Sequence, residues 1–144
     1  MSANCFSPTS SLPTAGDSSR SRPLVLIVED DRDNAHLIAR VLTGAKCDVL
    51  VTSVGHDALQ HARTILPDVI TLDLRLPDID GLDLLEQLKA TAETREIPVI
   101  VVSIVADERD PRLVGAFATL PKPIDRRRLS QTVEAALRTP QQQH

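Results

Sequence analysis

The chain has 144 residues, 42% hydrophobic and 25% charged, proportions ordinary for one globular domain with a real core. A net charge of −4 argues against a general nucleic-acid binder, and a complement of two phenylalanines, Phe6 and Phe117, with no tyrosine or tryptophan excludes an aromatic platform for single strands. No apolar run reaches the roughly 18–20 residues of a membrane span, no apolar signal core opens the chain, and Cys5 and Cys47 have neither metal nor redox spacing; a reduced, cytoplasmic protein is expected.

Residues 1–22 mix serines with Pro8, Pro13 and Gly16 without an apolar period and read as a disordered leader. The pattern then changes abruptly, and residues 23–139 carry the domain. Leu24-Val-Leu-Ile-Val28 is a buried strand opened by Pro23, with Glu29-Asp30-Asp31 at its carboxyl end. A helix from about Arg32 to Thr43 turns Ala35, Ile38, Val41 and Leu42 to one face, with Asp31 as N-cap and Gly44 as the residue just past its end. Asp48 to Ser53 is a short strand. Gly55 opens a second helix that buries Ala58, Leu59, Ala62, Ile65 and Leu66 and stops at Pro67.

Asp68 to Leu72 forms the third strand, whose apolar run suits burial on both faces of a parallel sheet. It ends in one carboxylate, Asp73, and Pro77 and Gly81 then turn the chain. Asp80 caps a third helix from Gly81 to about Ala92. Pro98 to Val102 is the fourth strand, with Ser103 at its carboxyl end. Asp107 to Gly115 is weakly helical and must be short because of Pro111. Phe117 to Leu120 is a fifth strand, Pro121-Lys122-Pro123 follows, and Asp125 caps a last helix through Arg138. Residues 140–144 read as a disordered tail.

Strands alternating with helices of about ten residues predict a parallel sheet with right-handed crossovers and helices on both faces. The expected fold is a doubly wound α/β sheet of flavodoxin-like order 2-1-3-4-5. Its switch point lies between the first and third strands, so Glu29 and Asp30 stand beside Asp73. Three adjacent carboxylates repel one another, by roughly 4 kcal/mol per pair about 4 Å apart at an effective dielectric of 20. A divalent cation relieves that repulsion, and all-oxygen ligands suit Mg²⁺. The neighbouring strand ends add the Ser103 hydroxyl and the Lys122 ammonium. A carboxylate nucleophile, a hard metal, a hydroxyl and a lysine together describe phosphoryl transfer.

Val28-Glu-Asp-Asp31, Leu72-Asp-Leu-Arg-Leu-Pro-Asp-Ile-Asp-Gly81, Val102-Ser103 and Leu120-Pro-Lys-Pro123 resemble, in order and spacing, the receiver domain of two-component response regulators. The resemblance runs from about Pro23 to Arg138. It implies that Asp73 accepts a phosphoryl group from a histidine kinase or a histidine phosphotransfer protein. It further implies that Asp30 and Asp73 bind Mg²⁺ directly, Glu29 binds it through water, and the Arg75 backbone carbonyl is a further ligand. Ser103 would bond the phosphoryl group, Lys122 would pair with the phosphoaspartate, and the Lys122–Pro123 bond would be cis. Such a chain is a phosphoacceptor able to catalyse its own phosphorylation and dephosphorylation, not an enzyme acting on outside substrates. With little sequence beyond the last helix, it is expected to stand alone, without a nucleic-acid or membrane function, and to signal to a downstream protein that the residues do not identify.

Some residues depart from the family pattern. Thr119 stands where an aromatic residue is usual, and Phe117, two residues earlier on the same strand face, is the nearest substitute. Ile104 occupies a position where a small residue is commoner, and Arg75 sets a second cation at the site mouth. His36, His56, His61 and His144 have no metal spacing relative to the acids. Arg126-Arg127-Arg128 is read as a solvated helix start or a docking patch. Two other readings stay open at this level: a receiver-like interaction module that works without phosphate, and a metal-dependent phosphohydrolase. The second lacks the further acid of an Asp-x-Asp motif, since Arg75 stands there.

Overall fold

A computed structural model of the protein describes residues 21–104 and 109–138. All but the last two residues of the expected leader, and all of the expected tail, fall outside them. The order of elements is β1 (Leu24–Val28), α1 (Arg32–Gly44), β2 (Asp48–Thr52), α2 (Gly55–Ile65), β3 (Val69–Leu72), α3 (Gly81–Ala90), β4 (Val99–Ser103), a 3₁₀ turn (Pro111–Gly115), β5 (Ala118–Pro121) and α4 (Arg126–Arg138). All strand pairs are parallel, and the sheet order is β2-β1-β3-β4-β5, as the alternation of elements predicts.

Side chains alternate across each strand, so one sheet feeds two cores. Leu26, Val28, Ile70, Leu72, Val99 and Val101 pack with Ala58 and Ala62 of α2, Leu84, Leu85 and Leu88 of α3, and Leu113 of the 3₁₀ turn. Val25, Ile27, Val69, Ile100, Val102 and Leu120 pack with Ile38 and Leu42 of α1 and Leu129, Val133 and Ala136 of α4. Each fully buried leucine or isoleucine contributes about 1.5–3 kcal/mol. Strands β3 and β4 are buried at every position, which accounts for their uninterrupted apolar sequences. Among the described residues no helix is long and apolar enough to cross a membrane.

Two expectations need correction. Gly44 is the last residue of α1, not the residue past its end. The left-handed position falls on Lys46 (φ 69°), whose N–H donates to the Thr43 carbonyl while that of Cys47 donates to the Leu42 carbonyl, both at 3.0 Å. This pairing sends Cys47 back onto Leu42 in the core, and that contact fixes where the helix ends. Of the segment expected to be weakly helical over Asp107 to Gly115, residues 107 and 108 lie outside the described residues, and Pro111–Gly115 forms a short 3₁₀ helix, Pro111 standing in its first turn as expected. Arg112 holds the turn to α3 by bonding both Asp83 and Glu86. These groups are exposed, so the ion pairs add little stability and chiefly set the turn's position. Helix α3 also ends at Ala90, two residues before the expected Ala92.

Candidate functional site

The β1–β3 ladder closes on the pair Val28↔Leu72, so the next residues, Glu29 and Asp73, leave the sheet side by side. The Asp73 N–H donates to the Val28 carbonyl and the Glu29 N–H to the Thr52 carbonyl, both at 3.0 Å, which carries the ladder one step past the strands. By alternation, both side chains project on the α1/α4 face. Asp73 is 5% exposed and Glu29 only 2%, and two carboxylates so enclosed require partners.

Lys122 supplies the first. It follows β5, crosses behind β4, and its Nζ donates to Glu29 Oε1 at 3.0 Å and to Asp73 Oδ2 at 3.2 Å. The Lys122–Pro123 bond is cis. The remaining carboxylate oxygens take backbone donors, Asp31 N–H to Glu29 Oε2 (3.2 Å) and Arg75 N–H to Asp73 Oδ1 (3.0 Å). Asp30 is exposed and completes a group in which one oxygen each from Glu29, Asp30 and Asp73 lies within 4.8 Å of the others. Asp31 turns away to cap α1, accepting from the Asp33 and Asn34 amides. Ser103 is buried at the end of β4.

Two acids share one ammonium here, and the charges do not balance. Burial, reinforced by Asp73, pushes the Glu29 carboxyl up to about 7 against the pull of Lys122. Burial also works against the Lys122 ammonium, but its hydrogen bond to Glu29 and the charges of Glu29 and Asp73 outweigh this and raise its pKa. The buried trio of Glu29, Asp73 and Lys122 is thus short of one positive charge, and the raised Glu29 pKa lets a proton offset part of that deficit near neutral pH.

A match to the family model for the response regulator receiver domain covers residues 25–134. This chain belongs to that receiver family. A curated relative, the polar-differentiation response regulator DivK of Brucella ovis, is 36% identical over 116 residues, which cover 78% of this receiver and 94% of DivK. Among solved structures, the receiver domain of Francisella response regulator 1452 is 28% identical, with a TM-score of 0.73 over 81% of this chain and 97% of that one. The receiver domain of a sensor histidine kinase from Pseudomonas aeruginosa, which holds a magnesium ion in its active site cleft, superposes with a TM-score of 0.76 at 24% identity, covering 83% and 100%.

One residue that the sequence reading did not single out ties the loop after β3 to the start of α2. Asp78, in the loop between β3 and α3, accepts the Gly55 N–H (2.9 Å) and the His56 N–H (2.8 Å) at the start of α2. These bonds hold its carboxyl below the usual carboxylate range, the His56 amide contributing most. Val54, at the N-cap of α2, makes no side-chain cap, and with Thr52 and Ser53 just ahead of it no local signal pointed to a cap from elsewhere.

Proposed function

We propose that Asp73 is the phosphoacceptor of this receiver and that Mg²⁺ is its cofactor. The observation that carries the reading is the placement of Lys122 across Glu29 and Asp73, with Asp30 open to solvent beside them. The donor set consists of oxygens alone, its three carboxylates face the single ammonium of Lys122, and it has an open side, features that fit a hard divalent cation. The ion coordinated in the cleft of the Pseudomonas aeruginosa domain supports the same reading. Asp30 and Glu29, with the Arg75 carbonyl, would hold it. When bound, Mg²⁺ neutralises the oxygens of the migrating phosphoryl group.

The chain's own residues do the rest. An Asp73 carboxylate oxygen forms a bond to phosphorus as the phosphorus–nitrogen bond of a phosphohistidine breaks, and the electron pair leaves with the imidazole. Lys122 already lies against Asp73 and stays as the counter-charge to the new phosphoryl oxygens. The Arg75 amide fixes the carboxylate's rotation. Ser103, buried at the end of β4, would bond the phosphoryl group once it is in place, and that bond would read out phosphorylation at the end of the strand. The donor is a histidine kinase or a phosphotransfer protein, and the output is a contact with a further protein or onward relay of phosphate.

The test is intact mass after incubation with acetyl phosphate and Mg²⁺, for wild type and Asp73→Asn. A phosphoryl adduct on wild type alone, abolished by chelation, is expected. An adduct that persists in Asp73→Asn overturns the assignment. The absence of any adduct, combined with no Mg²⁺-dependent rise in melting temperature, favours the phosphate-independent interaction module.

A further inference from the structure

We propose that Asp78 is a positioning residue for the Mg²⁺-binding peptide of the site, acting through the loop it clamps to α2; this rests on the phosphoacceptor reading above. The loop leaves β3 at Asp73 and enters α3 at Gly81. Its two stems are tied to each other: Arg75 and Asp80 form an antiparallel bridge, and the Gly81 N–H donates to the Leu74 carbonyl at 3.0 Å. Gly81 sits so close to the Leu74 backbone that a Cβ there would lie 2.3 Å from the Leu74 Cα. Residues 76–79 therefore form a short hairpin tip, and what orients that tip also orients the Arg75 peptide at its base.

The tip's polar anchor is Asp78. Both of its carboxylate oxygens are used, one on the Gly55 amide and one on that of His56, 23 and 22 residues away in sequence. The apolar side chains on either side press on the same spot: a Cβ at Gly55 would meet Ile79 at 2.1 Å and Leu76 at 3.1 Å. Helix α2 begins with no cap from its own N-cap residue, so the loop supplies it. The dependence is mutual. At the base of the hairpin, the Arg75 N–H bonds Asp73 Oδ1, and the carbonyl of the same residue is the proposed metal ligand. A loop free to swing at its tip would turn the backbone on both sides of the Arg75 Cα, loosening the carbonyl and the aspartate together. Groups that orient metal ligands in this way are worth about ten- to a hundredfold in metal affinity.

The experiment compares the full chain with Asp78→Ala, Asp78→Asn and Asp110→Ala by calorimetric titration with Mg²⁺ and by amide exchange without metal. Asp110 likewise caps a turn, accepting from the Arg112 N–H at 2.9 Å, and among the described residues no hydrogen bond or ion pair joins it to the loop or the site, so it controls for loss of a cap. In Asp78→Ala the Mg²⁺ dissociation constant is expected to rise about tenfold, and the Arg75 amide to exchange faster in the metal-free protein. Asp78→Asn, which keeps one carbonyl acceptor, recovers part of both effects, and Asp110→Ala shows neither. An Asp78→Ala protein with a lowered melting temperature but wild-type Mg²⁺ affinity and wild-type Arg75 exchange would reduce Asp78 to a helix cap and sink the proposal. If wild type itself takes up no Mg²⁺, the phosphoacceptor reading fails along with it. If only the variants match wild type, that reading stands and this one falls.

Discussion

Glu29 carries the clearest pH signature in the molecule. Its carboxyl is pushed from 4.5 to about 7 by burial and by Asp73, so between those values the folded chain holds a proton that the unfolded chain has released. Stability of the metal-free protein therefore falls as pH rises from about 4.5 to about 7, then levels off. Asp78 works in a separate window: its depressed pKa gives stability that is lost only as pH falls through the lower carboxylate range. Urea midpoints in chelator at pH 5, 6 and 7.5 should decline for wild type and decline much less for Glu29→Gln. A flat wild-type profile would mean that Lys122 alone suffices to keep Glu29 ionised. Because Mg²⁺ displaces the same proton, its stabilising effect should grow with pH across this interval.

At the scale of elements, the two cores and the strand order were open to reading because they rest on local patterns: apolar runs of strand length, Pro and Gly at their ends, and amphipathic helices between them. The placement of Glu29, Asp30 and Asp73 followed from the switch point alone. What the sequence hid was contact across distance. Nothing near Gly55 announces that Asp78 caps its helix, and nothing near Gly44 announces that the turn continues to Lys46 so that Cys47 can reach Leu42. The two glycines make the contrast testable. At Gly81 an added Cβ would meet backbone on three atoms, none farther than 2.8 Å, whereas at Gly44 nothing lies within 4 Å. Gly81→Ala is expected to destabilise by about 1–3 kcal/mol through forced displacement of α3. Gly44→Ala should stabilise by up to about 1 kcal/mol through helix propensity. Urea denaturation followed by far-ultraviolet dichroism measures both, and equal effects would contradict the packing described for Gly81.

Over the whole molecule, the sheet separates two cores that share strands but no side chains. Leu88 belongs to the α2/α3 side and Leu129 to the α1/α4 side, each essentially inaccessible to solvent. Truncating either to alanine should cost about 2–5 kcal/mol, and with no common neighbours the double variant should lose the sum to within about 0.5 kcal/mol. Equilibrium denaturation of the two single variants and the double decides it, and a large shortfall would show the cores to be coupled through the strands between them.

Both of those cores are built from aliphatic side chains. Phe117 bears the one phenyl ring among the described residues, is 39% exposed just ahead of β5, and belongs to neither core; no tyrosine or tryptophan occurs anywhere in the chain. The protein is therefore close to transparent at 280 nm and has no tyrosine or tryptophan emission as it folds, binds metal or takes on phosphate. That darkness is an asset. In Phe117→Trp every emitted photon would come from the start of β5, the strand that leads to Lys122, so events at the site could be watched from the opposite end of the sheet against no background at all.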